Sequence, residues 1–356
     1  MLDTREPPSK TACRLEVLGK VSSIHYDCTT ASCLVSTILN GAHVFNLDDN
    51  FYGANLAVGL SSSSVESYPY HDIGEAPLLS SSFFSAGQLF AVGSSSGTVT
   101  VVSRRSRAMT SCYSTPDGLP IRSVHEVVSQ PNCLLTCTQR GAEVIDVERS
   151  QLRTTLENPA PGRAVAAVPL SPHTFVVANY DGKVLLYDTR YRHTPSCILS
   201  IPDQITCVSA ALDTAEVCVG TVGGRVFTLR CTEGPQREQA FGMSTRRSPV
   251  RCVSMDRGRI AAGDLAGRLA LIDTADVPDP TVYWSAETLL RASRQSPVDC
   301  LDSCDDGAGT HARSSPSTAA AFADSEVTAV TLAQGTVWMS FGSPKSTASQ
   351  IVAIPA

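Results

Sequence analysis

An all-β fold, a closed ring of seven four-stranded blades, is predicted by three observations. Apolar runs are short and are broken by Gly, Ser, Pro and Asp, and helical periodicity is nearly absent. One pattern recurs along the chain: an apolar strand, a small-residue turn ending in glycine, and a second apolar strand. The turn glycines Gly41, Gly97, Gly141, Gly182, Gly224 and Gly267 recur at intervals of 56, 44, 41, 42 and 43 residues. That spacing is close to the ~40–45 residues of a WD-repeat propeller blade.

The clearest copies are LFAVGSSSGTVTVVS (Leu89–Ser103), TFVVANYDGKVLLYD (Thr174–Asp188), EVCVGTVGGRVFTLR (Glu216–Arg230) and RIAAGDLAGRLALID (Arg259–Asp273). Degenerate copies run from Cys33 to Asp48 and from Cys133 to Val147. The glycine supplies the positive φ that a tight hairpin needs. A short apolar segment precedes each hairpin: Val21–Tyr26, Leu78–Phe84, Ile121–Val128, Ala164–Val168, Ile205–Leu212 and Val250–Met255. These are expected to be the innermost strands, beside the central channel. Runs such as VCVG and LALI lack strict polar alternation, as expected where both faces of a blade pack on neighbours.

The seventh blade is expected from VTAVTLAQGTVWMSF (Val327–Phe341) and QIVAI (Gln350–Ile354), with the N-terminal segment Ala12–Leu18 as its outer strand. That closure leaves no open sheet edge and brings the two ends of the sequence together. SPVDCLDSCDDG (Ser296–Gly307) resembles the inner-strand segment SPVRCVSMDRG (Ser248–Gly258) and is the alternative seventh inner strand. Val327–Leu332 is preferred because its hairpin follows at once. One propeller over residues 1–356 is expected, with 305–325 a mobile loop insertion in or before the last blade. The one modest helical candidate, Ser285–Ser293, is too short to define a layer.

Composition narrows the class. Of 356 residues, 42% are hydrophobic and 17% charged, which excludes a disordered chain. The net charge of −6 argues against general nucleic-acid binding. No run of ~18 apolar residues is present to span a membrane, and the polar opening MLDTREPPSK is unlike a signal peptide. The 13 cysteines are an odd number, scattered, and many lie in apolar runs. They read as small hydrophobic fillers in a reducing compartment, cytosol or nucleus. The pairs Cys133/Cys137 and Cys300/Cys304 lack zinc-site spacing, and no metal or cofactor is expected.

Catalytic motifs are lacking: there is no G-x-S-x-G, G-x-x-x-x-G-K-[ST] or H-E-x-x-H. His25, His43, His125 and His173 have no patterned carboxylate, and His25 and His125 fall in inner strands as core histidines. The serine runs Ser61–Ser64 and Ser80–Ser82 read as loop and small-residue packing. A non-catalytic scaffold is expected; a propeller hydrolase or esterase with a channel active site is the alternative of another class.

The chain lacks a Trp-Asp dipeptide, so the WD pattern is divergent. The order of its segments resembles the Bub-type spindle-checkpoint WD-repeat proteins and their relatives, the mRNA-export factors of the nuclear pore. Pro7-Pro8 and Ser22-Ser23 stand where that family's opening blade has a Pro-Pro and a Ser-Ser inner strand. LPIRSVHEV (Leu119–Val127), YDTR (Tyr187–Arg190), ITCVSAALDTAEVCVGTVGGRVFTL (Ile205–Leu229), Ala240-Phe241 and PVRCVSM (Pro249–Met255) follow in register.

The resemblance implies a top face that grips short acidic or phosphorylated partner segments. Arg225, after Gly224, stands where the family pairs an arginine with a partner glutamate, in the forked geometry a guanidinium offers a carboxylate. Arg268 occupies the same place one blade later, so a solvated repeat arginine is the alternative. Phe241, Arg246 and Arg247 stand at the family's phosphate-binding loop, although its lysine and histidine are absent. The family's top-face tryptophans are missing near Ile38 and Thr138, which removes aromatic anchors. The resemblance implies a checkpoint protein working with a Bub-type kinase or kinetochore scaffold, found in the nucleus, at mitotic kinetochores and in the cytoplasm. The second implication is an mRNA-export factor binding a nucleoporin. Neither membrane insertion nor direct nucleic-acid binding is expected.

Overall fold

Seven antiparallel four-stranded sheets form the protein. The computed structural model describes residues 13–46, 65–74, 76–127, 130, 132–156, 158–159, 162–190, 194–212, 214–231, 238–242, 248–274, 282–285, 326–333, 336–342 and 348–355. After the N-terminal strand β1 (Cys13–Leu18), blade one is β2 (Val21–Asp27), β3 (Ser32–Thr37), β4 (Gly41–Asn46) and β5 (Val65–Tyr68). A single helical turn, α1 (Tyr70–Ile73), precedes blade two: β6 (Leu78–Phe84), β7 (Leu89–Ser94), β8 (Thr98–Ser103) and β9 (Ala108–Ser114). Blade three is β10 (Ser123–Glu126), β11 (Cys133–Thr138), β12 (Gly141–Asp146) and β13 (Gln151–Leu156). Blade four is β14 (Ala164–Pro169), β15 (Thr174–Asn179), β16 (Lys183–Asp188) and β17 (Cys197–Ser200). Blade five is β18 (Ile205–Ala211), β19 (Glu216–Thr221), β20 (Arg225–Arg230) and β21 (Glu238–Gly242). Blade six is β22 (Val250–Asp256), β23 (Arg259–Asp264), β24 (Arg268–Asp273) and β25 (Val282–Ser285).

Blade seven closes the ring with both ends of the sequence. Its inner strand is β26 (Glu326–Ala333), followed by β27 (Thr336–Gly342) and β28 (Ala348–Pro355), and β1 pairs with β28 from Cys13↔Ala353 to Leu18↔Ala348. The seventh inner strand is therefore the Val327 segment. Ser296–Gly307 and the proposed 305–325 insertion lie outside the described residues, as does the helical candidate beyond Ser285, which itself ends β25. Each inner strand contacts the next around the whole circle, β2 to β6, β10, β14, β18, β22, β26 and back to β2. The inner strand of blade three is shorter than the sequence suggested, with Ile121 and Arg122 preceding it.

The second strands carry the core. All six residues of β3, β11 and β19 are buried, because sheets pack on both of their faces. Outer strands behave differently: β9 and β13 are largely exposed. Cysteine follows the same gradient. Cys33, Cys133, Cys137 and Cys218 are buried fillers, as expected, whereas Cys28 and Cys112 are exposed, against the filler reading.

Blade-to-blade packing uses a repeated knob in a repeated hole. An apolar residue at or beside the start of one inner strand fills the space beside the penultimate residue of the preceding blade's second strand. Ile121 fills the space at Gly93, Val250 the space at Gly220 and Val327 the space at Gly263. A Cβ on Gly220 would lie 2.5 Å from Val250 Cγ1 and 2.6 Å from Cys207 Sγ. Where the hole is filled by Cys137, the following knob shrinks to Ala164, and both share one core cluster. Summed volume is thus kept near close packing at each blade junction.

Hydrogen bonds stitch the inner strands as well. His25 Nδ1, Ser209 Oγ and Ser254 Oγ sit at one position of three inner strands. Each accepts a backbone N–H from the next blade: Phe83 at 3.4 Å, Met255 at 3.2 Å and Leu332 at 2.9 Å. Between blades one and two, Arg104 donates to Glu66 Oε1 (3.0 Å) and Oε2 (3.2 Å), Asn46 Oδ1 (2.6 Å) and the Gly87 carbonyl (3.0 Å).

Candidate functional site

The chain order of each blade puts two sets of loops at one end of the ring, here the top: the hairpins between second and third strands, and the connections into each inner strand. The first residue of the hairpin donates its N–H to the carbonyl just before its own inner strand in five blades: Ile38 to Lys20, Ser95 to Pro77, Tyr180 to Arg163, Val222 to Gln204 and Leu265 to Pro249. This bond fixes every such turn at the channel rim. Leu39, Tyr180 and Leu265 are exposed there, as is Leu18 at the end of β1. Of these, Leu39 stands beside Ile38, one of the two positions where the family's tryptophans are missing; Tyr180 and Leu265 add apolar surface in blades four and six.

Arg225 opens β20 on this face and is exposed. Gly224 holds φ +75°, a conformation costly for other residues. Asp203 Oδ2 accepts the Gly223 N–H at 3.0 Å, and Thr221 Oγ1 both accepts the Arg225 N–H (3.2 Å) and donates to its carbonyl (3.1 Å). The turn is thus pinned from both sides, while the guanidinium has no partner among the described residues. Phe241 follows on the adjacent outer strand, its backbone paired with Val226. Arg246 and Arg247 lie outside the described residues.

Arg268 is not equivalent to Arg225. The residue across the turn is Asp264, fully buried, whose Oδ1 accepts the N–H groups of Ala266 and Arg268 at 2.9 Å and whose Oδ2 accepts Arg268 Nε at 2.8 Å. Blade five has Thr221 in its place, which cannot pair a cation. The other top-face cations are mostly neutralised: Lys20 by Glu326, Arg140 by Asp117 at 2.8 Å and Lys183 by Asp181 at 3.5 Å. Arg122, Arg225 and Arg251 have no carboxylate partner among the described residues, and all three are exposed.

The channel has two chambers, of about 380 Å³ at the top and about 370 Å³ below. His25 and His125 line both. Burial holds each imidazole at a pKa of about 4; the Asp27 charge opposes this at His25, and the charge of His25 reinforces it at His125. Glu126 joins them in the lower chamber, but its Oε1 accepts the Ser85 N–H at 2.9 Å, and Ser82 Oγ donates to the Phe83 carbonyl at 3.0 Å. Among the described residues neither channel histidine is hydrogen-bonded to a Ser or Cys side chain; the Ser–His contact present, His43 Nδ1 with Ser67 Oγ at 3.1 Å, lies between β4 and β5, and no group of three or more His, Cys, Asp or Glu is placed to hold a metal. His25 has one ring nitrogen bonded, Nδ1 to the Phe83 N–H, and the His125 ring has no hydrogen bond among the described residues; both rings face the channel.

No family model and no curated protein matches this sequence. Among solved structures, the crystal structure of Raptor from Chaetomium thermophilum superposes with a TM-score of 0.69 at 10% sequence identity. The match covers 97% of this chain and 28% of Raptor, so the chain spans little more than a quarter of that protein's length. At that identity the likeness concerns the fold alone: the chain is a seven-bladed β-propeller.

Proposed function

We propose that this propeller is a non-catalytic scaffold that binds short acidic segments of partner proteins on its top face. One observation carries the reading. Arg225 presents a guanidinium with no partner among the described residues, from a rigidly pinned turn, on a rim that also exposes Tyr180 and Leu265. A guanidinium fork beside apolar residues suits a carboxylate flanked by hydrophobic side chains. The pinned backbone fixes where the side chain leaves the turn, so binding has to order the side chain and not the loop.

The segment order that resembles the Bub-type family supports a finer proposal: a spindle-checkpoint role beside a Bub-type kinase, with residence in the nucleus and at mitotic kinetochores. Among the described residues no Ser or Cys side chain is hydrogen-bonded to His25 or His125, which favours the non-catalytic reading over the hydrolase one.

The direct test is fluorescence anisotropy of a labelled acidic helical peptide titrated with the full chain. Arg225→Glu should weaken binding at least tenfold, and unchanged affinity removes Arg225 from the site. For the finer proposal, tagged protein should mark mitotic kinetochores; enrichment at the nuclear rim would favour the mRNA-export role instead.

A further inference from the structure

The upper chamber of the channel is lined by all seven inner strands, and its lining includes no Asp or Glu. Its only charged residues are Arg122 and Arg251. They occupy the same place in the blade repeat, each following the knob residue of its blade: Arg122 after Ile121, just before β10, and Arg251 after Val250 in β22. Blades three and six of a seven-fold ring stand on opposite walls, so the two arginines flank the chamber mouth.

The chamber's hydroxyls are already committed to its wall. Ser123 Oγ donates to the Ala167 carbonyl (3.0 Å), Thr206 Oγ1 to the Val250 carbonyl (2.6 Å) and Ser80 Oγ to the Ile121 carbonyl (3.3 Å). The unspent charged donors in the chamber are the two guanidinia, neither of which has a hydrogen bond or ion pair among the described residues; the neutral His125 ring adds one N–H. A chain of net charge −6 thus keeps a carboxylate-free pocket with two opposed cations. Low-dielectric walls concentrate such a field.

A planar carboxylate fills one guanidinium fork. Two forks approaching from opposite sides need an anion with oxygens on more than one side, which a tetrahedral oxyanion supplies. A chamber of about 380 Å³ is of the size that takes a small molecule. We propose that the upper chamber binds a small phosphate-bearing anion clamped between Arg122 and Arg251. This site is separate from Arg225, which does not line the chamber.

The test is isothermal titration of the full chain with inorganic pyrophosphate at fixed ionic strength, with chloride as the control. Pyrophosphate should bind. Arg122→Gln and Arg251→Gln should each weaken it at least tenfold, the double variant should abolish it, and Arg225→Gln should leave it unchanged. Absence of pyrophosphate binding, or equal affinity in the Arg122 and Arg251 variants, overturns the proposal. A phosphoserine peptide that displaces pyrophosphate at lower concentration overturns the small-molecule source and assigns the phosphate to a partner chain. Both arginines are exposed, so the variants should fold. Independently of them, pyrophosphate should slow methanethiosulfonate modification of the chamber thiols Cys207 and Cys252 in the unaltered protein, read by peptide mass spectrometry. Unchanged rates count against the site.

Discussion

Asp264 holds Arg268 across the turn of blade six, its Oδ2 2.8 Å from Arg268 Nε, and the corresponding pair in blade five is Thr221 and Arg225, with no ion pair. One residue in the second strand therefore decides whether the arginine that follows is structural or free. Asp264 is fully buried and accepts two backbone N–H groups besides its ion pair. Asp264→Ala leaves those donors and a half-buried cation unmatched, and should cost about 3 kcal/mol. Urea unfolding with an unchanged m-value would measure it.

The converse substitution tests the free arginine. Thr221→Asp should fold, since blade six carries that arrangement, and should draw the Arg225 guanidinium into a local pair. Affinity for an acidic peptide should fall severalfold while pyrophosphate affinity stays as it was. Undiminished peptide binding would show that Arg225 is not the anchor.

Blade junctions should show size coupling. Gly220→Ala places a Cβ 2.5 Å from Val250 Cγ1 in a buried junction and should destabilise by about 1–3 kcal/mol. Val250→Ala alone opens a cavity and should cost about 2–3 kcal/mol. The double variant reproduces the small-knob solution seen at Cys137 and Ala164, so its cost should be less than the sum. Simple additivity in chemical denaturation would refute the knob-and-hole account.

Acid should weaken the ring through His25. Its Nδ1 accepts the Phe83 N–H, which requires a neutral ring, and burial lowers its pKa from 6.5 to about 4 despite the Asp27 charge. The unfolded chain binds the proton more readily, so stability is full above pH ~6.5 and falls as pH drops toward 4. The shift corresponds to about 3–4 kcal/mol at most. His125 titrates over the same window, and Glu126 is the carboxylate nearest to it in sequence. His25→Ser supplies the acceptor used in blades five and six. It should flatten stability against pH between 6.5 and 4 relative to the unaltered protein, and an unchanged profile would remove His25 from the effect.

Arg104 should matter to the closure of blades one and two. Burial raises the Glu66 carboxyl's pKa, but hydrogen bonds from Arg104, Asn46 and Tyr68 outweigh this and hold it below its ordinary value. Arg104→Met removes the largest of these and leaves a half-buried carboxylate short of donors, at about 2 kcal/mol. Because Glu66 stabilises the fold only while ionised, the variant should also lose acid sensitivity below pH ~4.5. A thermal melt series across pH reads both effects.

The sequence by itself determined the blade count, the inner strands and the closure by the N-terminal strand. Each rests on local chemistry: strand length, turn glycines and a fixed period. It also marked Gly224 and Arg225, because a turn glycine and the residue after it are read from neighbours in the chain. It could not separate Arg225 from Arg268, since the difference lies in Thr221 and Asp264, four residues earlier but directly across a hairpin. Nor could it join Arg122 to Arg251. They are 129 positions apart in the chain and meet at one chamber only because the ring curls blade six round to face blade three. His25 and His125 gained their shifted pKa values the same way. Burial at the channel waist belongs to the closed circle, and no segment of the chain carries it alone.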